Sequence, residues 1–199
     1  MIIINNVDSS YCKAIVEIHK SAFRDFFLTS LGDDFLKTYY SAVIKCKEAL
    51  TVCTIDVDKS VTGFAVGTIS SKGFHKRLIL QNCFSFVSSF IKILIMKPSS
   101  IIRLIKNLDK ISSKGDDGNY AELLSIGVSG NFQGQGIGQI LITAFENEVK
   151  EKNGYILALT TDKYDNDKTI NFYEKSGYTL LYEFTSYPHR LMCKFIKLL

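Results

Sequence analysis

Proline, charge and charge asymmetry are all scarce in this sequence. Two of 199 residues are proline, 22% are charged, and Lys plus Arg exceed Asp plus Glu by 24 to 20, a net charge of +4. With 46% of residues hydrophobic, there is enough apolar side chain to offset the entropy of ordering the backbone, which excludes disorder as an overall description. The length suits one well-buried domain rather than two. So small a charge excess makes no case for a nucleic-acid partner unless it is concentrated in one place. The five cysteines (Cys12, Cys46, Cys53, Cys83 and Cys193) are an odd number with no C-x-x-C pair, which argues against a disulfide framework and against a zinc knuckle. They read as buried small hydrophobes. The amino terminus lacks the basic head and long apolar run of a signal peptide, so a cytoplasmic protein is expected. His19, His75 and His189 have no metal-ligand spacing; no metal is expected, and the three read as structural or surface residues.

Hydrophobic periodicity divides the chain into strands and helices. Residues 2–4 read as a short buried strand, 8–22 as a helix, and 33–44 as a second helix after the acidic start Gly32-Asp33-Asp34. The β-branched runs 50–55 and 61–69 flank a polar turn and predict a hairpin. Further on, 119–128 is strand-like, 136–152 helical, 155–160 a strand, 166–176 a helix capped by Asn166, and 179–184 with 191–195 two closing strands. The predicted class is α/β: a mixed sheet with helices on both faces and a helical insertion, 74–118, between the third and fourth strands. Within the insertion, the apolar runs 84–96 and 101–111 are separated by Lys97-Pro98-Ser99-Ser100 and predict two helices.

The most informative segment joins the fourth strand to the next helix: Leu123-Leu124-Ser125-Ile126-Gly127-Val128-Ser129-Gly130-Asn131-Phe132-Gln133-Gly134-Gln135-Gly136-Ile137-Gly138-Gln139. Glycines let the backbone approach a ligand, and unpaired amides at a helix amino terminus favour a phosphate or pyrophosphate. No Gly-Lys-Ser or Gly-Lys-Thr follows, and position 139 is Gln rather than Gly, so neither the P-loop nor the dinucleotide fingerprint is present. The late position in the chain also argues against both.

At these residues the sequence resembles the GNAT superfamily of acyl-CoA-dependent N-acetyltransferases, whose hallmark is Gln or Arg, two residues, Gly, one residue, Gly or Ala; Gln133 to Gly138 match each defined place. Downstream, Asn166-Asp167-Lys168-Thr169-Ile170-Asn171-Phe172-Tyr173-Glu174-Lys175-Ser176-Gly177-Tyr178 is similar to a second family block, with Thr169 for Ala and Tyr178 for Phe. The resemblance is strong over 120–184 and implies the family's mixed central sheet. It implies acetyl-CoA as cosubstrate and direct transfer of the acetyl group to a primary amine in a ternary complex. The amides of Gln135, Gly136, Ile137, Gly138 and Gln139 would hold the CoA pyrophosphate, with Gln133 and Gly134 shaping the turn. Ile126, Gly127 and Val128 would face the pantetheine arm and thioester carbonyl, and Asn166 and Asn171 would contact the cofactor. Tyr173 would protonate the departing thiolate, since phenol and thiol pKa values, about 10 and 8.5, lie close together. Glu122 is the candidate general base: strand alternation places it on one face with Leu124, Ile126 and Val128, where partial burial would raise its pKa.

The acceptor is a small-molecule amine by this reading, with a nucleotide-linked amino sugar suggested by similarity to GNAT enzymes of surface-polysaccharide synthesis. A protein N-terminal or lysine acetyltransferase and a non-catalytic acyl-CoA-binding module stay open as alternatives. The aromatics Phe23, Phe26, Phe27, Phe35, Tyr39 and Tyr40 read either as core or as an acceptor pocket. The insertion carries eight basic residues (Lys76, Arg77, Lys92, Lys97, Arg103, Lys106, Lys110 and Lys114) against three acidic ones (Asp109, Asp116 and Asp117). Its +5 therefore holds the charge excess, and a packed cap, a homodimer contact, a peripheral contact with an anionic membrane surface and a site for substrate phosphates are the readings left open for it.

Overall fold

The computed structural model describes residues 1–24, 26–96, 116–187 and 189–199. Seven strands form one mixed sheet: β1 (Ile2–Asn5), β2 (Ala49–Ile55), β3 (Val61–Thr68), β4 (Ala121–Val128), β5 (Ile156–Asp162), β6 (Thr179–Ser186) and β7 (Arg190–Leu198), in the order β1-β2-β3-β4-β5-β7-β6. All neighbours are antiparallel except β4 and β5, which run parallel. The predicted hairpin is β2–β3, and the α/β class with a mixed sheet is observed. β1 differs from expectation: it is the sheet's edge, and Ile2 and Ile3 are exposed rather than buried.

Helices cover both faces. On one lie α1 (Cys12–Ala22), the single turn α2 (Phe27–Ser30), α3 (Asp33–Lys45), α4 (Phe74–Gln81) and α5 (Cys83–Met96). Their core includes Ile15, Val16, Leu36, Tyr40, Phe64, Phe74 and Phe86. On the other lie α6 (Ile137–Glu151) and α7 (Asp167–Lys175), packed through Leu141, Phe145, Val149, Tyr173 and Phe195. Asp8 starts the first helical segment by accepting from Ser10 N at 2.7 Å. Two helices escaped the sequence reading, α2 and α4. The predicted 101–111 helix lies outside the described residues. The cysteines are less uniformly buried than expected: Cys53 and Cys193 are buried, but Cys83 is exposed. Among the described residues no helix is long and apolar enough to cross a membrane.

Two irregularities in β4 organise the centre of the sheet. First, β4 pairs with β5 only through Ala121, Glu122 and Leu123, opposite Leu157, Ala158 and Leu159; beyond that point the two strands part. Second, the register against β3 slips: Val66 opposes Ser125 but Gly67 opposes Leu123, so Leu124 is an extra residue, a β-bulge. Gly67 is required at this slip, because a Cβ there would sit 2.1 Å from the Glu122 carbonyl oxygen.

Candidate functional site

A cavity of about 750 Å³ opens where β4 and β5 part. Its walls are the β4 segment Leu123–Val128, the glycine loop and start of α6, Thr160 and Thr161 of β5, Tyr173 and Phe172 of α7, and, at the far end, His19 and Phe23 of the α1 region with Phe26 and Arg190. The size is that of a small-ligand or cofactor site.

The loop is built as an anion cradle. Gly134 and Gly136 hold φ of +75° and +77°, and a Cβ at either would meet only open space. Glycine is there for backbone conformation, and the space beside it is free. Gly136 caps α6 in this left-handed conformation with no side-chain cap. The amides of residues 134–138 donate to no described protein group, leaving several N–H groups at a helix amino terminus for a diphosphate. Gln139 differs from expectation. Its amide bonds Gly136 O at 3.0 Å, closing the first turn, and so is lost to a ligand. Its side-chain oxygen accepts from Ser176 Oγ at 3.1 Å.

The residues expected to bind the cofactor mostly converge. Ile126, Gly127, Val128, Gln133, Gly134, Gly136, Ile137, Gly138, Gln139 and Asn166 all line the cavity, whereas Gln135 and Asn171 are exposed and do not. Asn166 precedes α7 without capping it through its side chain; its amide instead donates to Thr161 Oγ1 at 2.7 Å and Asp162 O at 2.9 Å, tying α7 to the end of β5. Tyr173 is buried on the wall, and among the described residues its hydroxyl has no hydrogen-bond partner. Burial pushes its pKa well above the ordinary phenol value. The close match to a thiol assumed from ordinary values is therefore widened, while the phenol stays protonated at any working pH.

Glu122 is the main correction. The bulge at Leu124 reverses the alternation, so Leu124 packs toward α1 and α3 whereas Ile126 and Val128 pack toward α6. Glu122 shares the face of Leu124 only, and it does not line the cavity. Its Oε1 pairs with Lys194 Nζ at 2.5 Å, with side-chain exposures of 13% and 5%, and its Oε2 accepts from Ser71 Oγ. The Lys194 ammonium also sits 4.9 Å from the centre of the Tyr120 ring.

The far end of the cavity divides the aromatic residues that the sequence left ambiguous. Phe35, Tyr39 and Tyr40 are core, while Phe23, Phe26 and Phe27 line the cavity. The Arg190 guanidinium lies 4.9 Å from the centre of the Phe26 ring, and its Nε donates to Asp162 Oδ1 at 2.9 Å. His19, which carried no role by spacing, is also on the wall. Its Nδ1 is 2.7 Å from Tyr40 Oη, its Nε2 is buried without a partner among the described residues, and burial lowers its pKa to about 4. The signal available was a histidine within the apolar stripe Ile15, Ile18 and Ala22 of α1. Among the described residues no cluster of His, Cys, Asp or Glu could hold a metal.

The model of the Acetyltransferase (GNAT) family matches residues 12–178, most of the chain. The chain belongs to the GNAT acetyltransferase family. Solved structures agree at the level of fold. The ribosomal-protein-alanine N-acetyltransferase of Brucella melitensis is 14% identical with a TM-score of 0.65, covering 100% of both chains. The ribosomal-protein-S18-alanine N-acetyltransferase of Escherichia coli is 14% identical with a TM-score of 0.61, covering 98% of this chain and 92% of that one. An aminoglycoside 6'-N-acetyltransferase complexed with coenzyme A is 15% identical with a TM-score of 0.62, covering 100% and 97%. No curated protein matches the sequence. Within this GNAT chain, the parted strands, the glycine loop and Tyr173 meet on one cavity, and the residues present there fit acetyl-CoA as cosubstrate: free amides for a diphosphate, a slot between strands for an extended arm, and a phenol within it.

Proposed function

We propose that this GNAT protein transfers an acetyl group directly from acetyl-CoA to the primary amine of a small acceptor. The observation carrying this reading is that the unbonded amides of 134–138, the open edge of β4 and the unpartnered Tyr173 hydroxyl border one cavity with an aromatic end. The amides hold the diphosphate, and the backbone of Ile126 and Val128 orients the arm and polarises the acyl carbonyl; the neutral amine forms the C–N bond as the C–S bond breaks, Tyr173 donates its proton to the leaving thiolate, and the proton lost from the acceptor nitrogen restores the phenol through solvent. Asn166 keeps α7, and with it Tyr173, registered on β5. Acetyl-CoA when bound supplies the activated acyl group. Glu122 serves this reaction indirectly, by fixing β4 to β7 through Lys194.

At the acceptor end, Phe23, Phe26 and Phe27 offer flat apolar surface, and no carboxylate lines the cavity among the described residues. An amino sugar can lay its apolar face on the rings, in keeping with the acceptor class suggested from sequence. The test is a CoA-release assay with an amine panel of amino sugars (free and nucleotide-linked), arylalkylamines, aminoglycosides and peptides. Release with amino sugars or arylalkylamines is expected. Turnover confined to peptides would replace this acceptor class, and tight CoA binding with no release for any amine would leave a binding module.

A further inference from the structure

We propose that Arg190 binds an oxyanion carried by the acceptor, so that the amine this protein acetylates belongs to an acidic molecule, a phosphate ester or a carboxylate. The inference rests on the acetyltransferase reading above and adds to it a second point of recognition. Arg190 lines the aromatic end of the cavity, away from the glycine loop, and its side chain is 29% exposed, so a bound molecule can reach it. The guanidinium is held from two sides. Met192 of β7 opposes Asp162 of β5, and Arg190 lies two residues before Met192 on the same face, so it meets Asp162 on the diagonal. Its Nε donates to Asp162 Oδ1 at 2.9 Å and its Nη2 donates to Asp162 Oδ2, a two-point grip on one edge of the fork. The Phe26 ring, its centre 4.9 Å from the guanidinium carbon, covers a face. The ladder already joins β5 to β7 from Ile156 to Asp162, and a partly exposed ion pair adds little to stability. The grip therefore serves to aim the arginine rather than to fasten the sheet.

A guanidinium has five N–H groups. Asp162 takes one on Nε and one on Nη2; those on Nη1 and the second on Nη2 have no partner among the described residues. Nη1 and Nη2 form the end of the fork, whose parallel N–H bonds match the paired oxygens of a carboxylate or phosphate. Arg190 lines the cavity and Asp162 does not, so the edge bonded to Asp162 faces the wall and the end of the fork is left for a ligand. Lys168, exposed and on the same cavity, adds a positive charge, so the wall stays attractive to an anion once Asp162 is counted against Arg190. A guanidinium already fixed in place loses little side-chain freedom on binding. Phe23, Phe26 and Phe27 beside it offer the flat surface for a sugar or aryl ring. The acceptor class is thereby narrowed: a phosphorylated or nucleotide-linked amino sugar brings the oxyanion, and a free amino sugar does not.

The test uses the full chain, acetyl-CoA and acceptor pairs that differ only in the anion: glucosamine with glucosamine 6-phosphate, and phenethylamine with 4-(2-aminoethyl)benzoate. The ratio of kcat/KM, acidic member over neutral member, is expected to be about 10- to 100-fold in one pair or both, the value of a charge-assisted contact, and to arise mainly in KM. The pair that shows it tells a phosphate site from a carboxylate site. Arg190→Met keeps the stem over Phe26 and removes the charge, and the ratio is expected to fall to within about threefold of unity; Arg190→Lys, charged but without the fork, should keep part of it. An arginine with a merely structural role would lower activity with both members and leave the ratio intact. Without any substitution, the matching anion that lacks the amine, glucose 6-phosphate or 4-methylbenzoate, is expected to compete with the acidic acceptor. Ratios within about twofold of unity for both pairs in the unaltered protein, or a ratio that survives Arg190→Met, overturn the proposal. Absence of CoA release with every amine would instead remove the acetyltransferase reading. Calorimetric titration of glucose 6-phosphate and 4-methylbenzoate into the CoA-saturated protein, whose glycine loop is then filled, would still decide the anion site: binding weakened by Arg190→Met supports it, and no binding of either anion, or binding that Arg190→Met leaves unaltered, overturns it.

Discussion

Glu122→Gln separates two chemically different jobs for one residue. As a general base it would touch the substrate side of the cavity; in the structure it is locked to Lys194 in a pair with side-chain exposures of 13% and 5%. Removing one charge of a buried pair strands the other, which costs about 3–5 kcal/mol where nothing else compensates. Here the Tyr120 ring, 4.9 Å from the ammonium, offsets some of that loss, and the Gln amide oxygen still accepts one hydrogen bond. The expected destabilisation is therefore about 2–4 kcal/mol, or roughly 4–16 °C in Tm for a chain of this size. Urea unfolding measures the first quantity and a thermal melt the second. The double variant Glu122→Gln/Lys194→Met removes the stranded charge, so it should cost less than half as much as the single one. The pH–rate profile of Glu122→Gln should keep its shape, with kcat/KM within about threefold once measured below the melting range. If stability instead stays within about 1 kcal/mol of the original while activity falls at neutral pH and recovers at high pH, Glu122 is the base and its separation from the cavity is wrong.

Three further outcomes are expected. Tyr173→Phe removes only the unpartnered hydroxyl and should lower kcat by about 10²- to 10⁴-fold, with acetyl-CoA affinity nearly unchanged in calorimetry; an equal loss in both would make the residue structural. Gly136→Val places a β-branched residue at φ +77° at the centre of the unbonded amides, so acetyl-CoA affinity should fall at least tenfold and the protein should lose about 1–2 kcal/mol. His19 has a folded pKa of about 4, below its ordinary 6.5. The unfolded chain therefore binds a proton between these values that the folded chain refuses. This stability contribution is fully present above pH 6.5 and is lost as pH falls toward 4, by about 3 kcal/mol at most. Burial lowers the pKa of His75 as well, so the quantity to measure is the difference in urea stability between the original and His19→Phe at pH 7.5, 6 and 4.5; a constant difference would refute the linkage.

What the sequence revealed depended on how local the information was. The glycine loop and the Asn166–Tyr178 block are contiguous, and each brings its own backbone geometry, so most of their residues reached the cavity as expected. Glu122 was misplaced by one inserted residue: period-2 alternation is a local rule, and the bulge at Leu124 that breaks it arises from the pairing of β4 with β3 around Gly67. Helix α2 is a single turn with no period to read. In α4 the spacing of Phe74 and Leu78, both buried, was overshadowed by the longer apolar run that follows. Ile2 and Ile3 have the composition of a buried strand, but composition does not distinguish a centre from an edge. His19 and Arg190 lie 171 positions apart and share a wall only because α1 and the start of β7 close over the same gap.

The parting of β4 from β5 gives this sheet a third border, placed in its middle. Backbone groups along an open strand are a template for any extended chain, and an interior border cannot be blunted by the usual devices of a short strand or a lysine fringe without closing the site. The cosubstrate's extended, amide-bearing arm is suited to lie there as a surrogate strand. On that view saturating CoA does more than occupy a pocket: it completes a ladder that the polypeptide leaves unfinished. It should slow aggregation on storage as well as raise the melting temperature, and the ligand-free protein should be the form most open to capture by stray β-rich peptides.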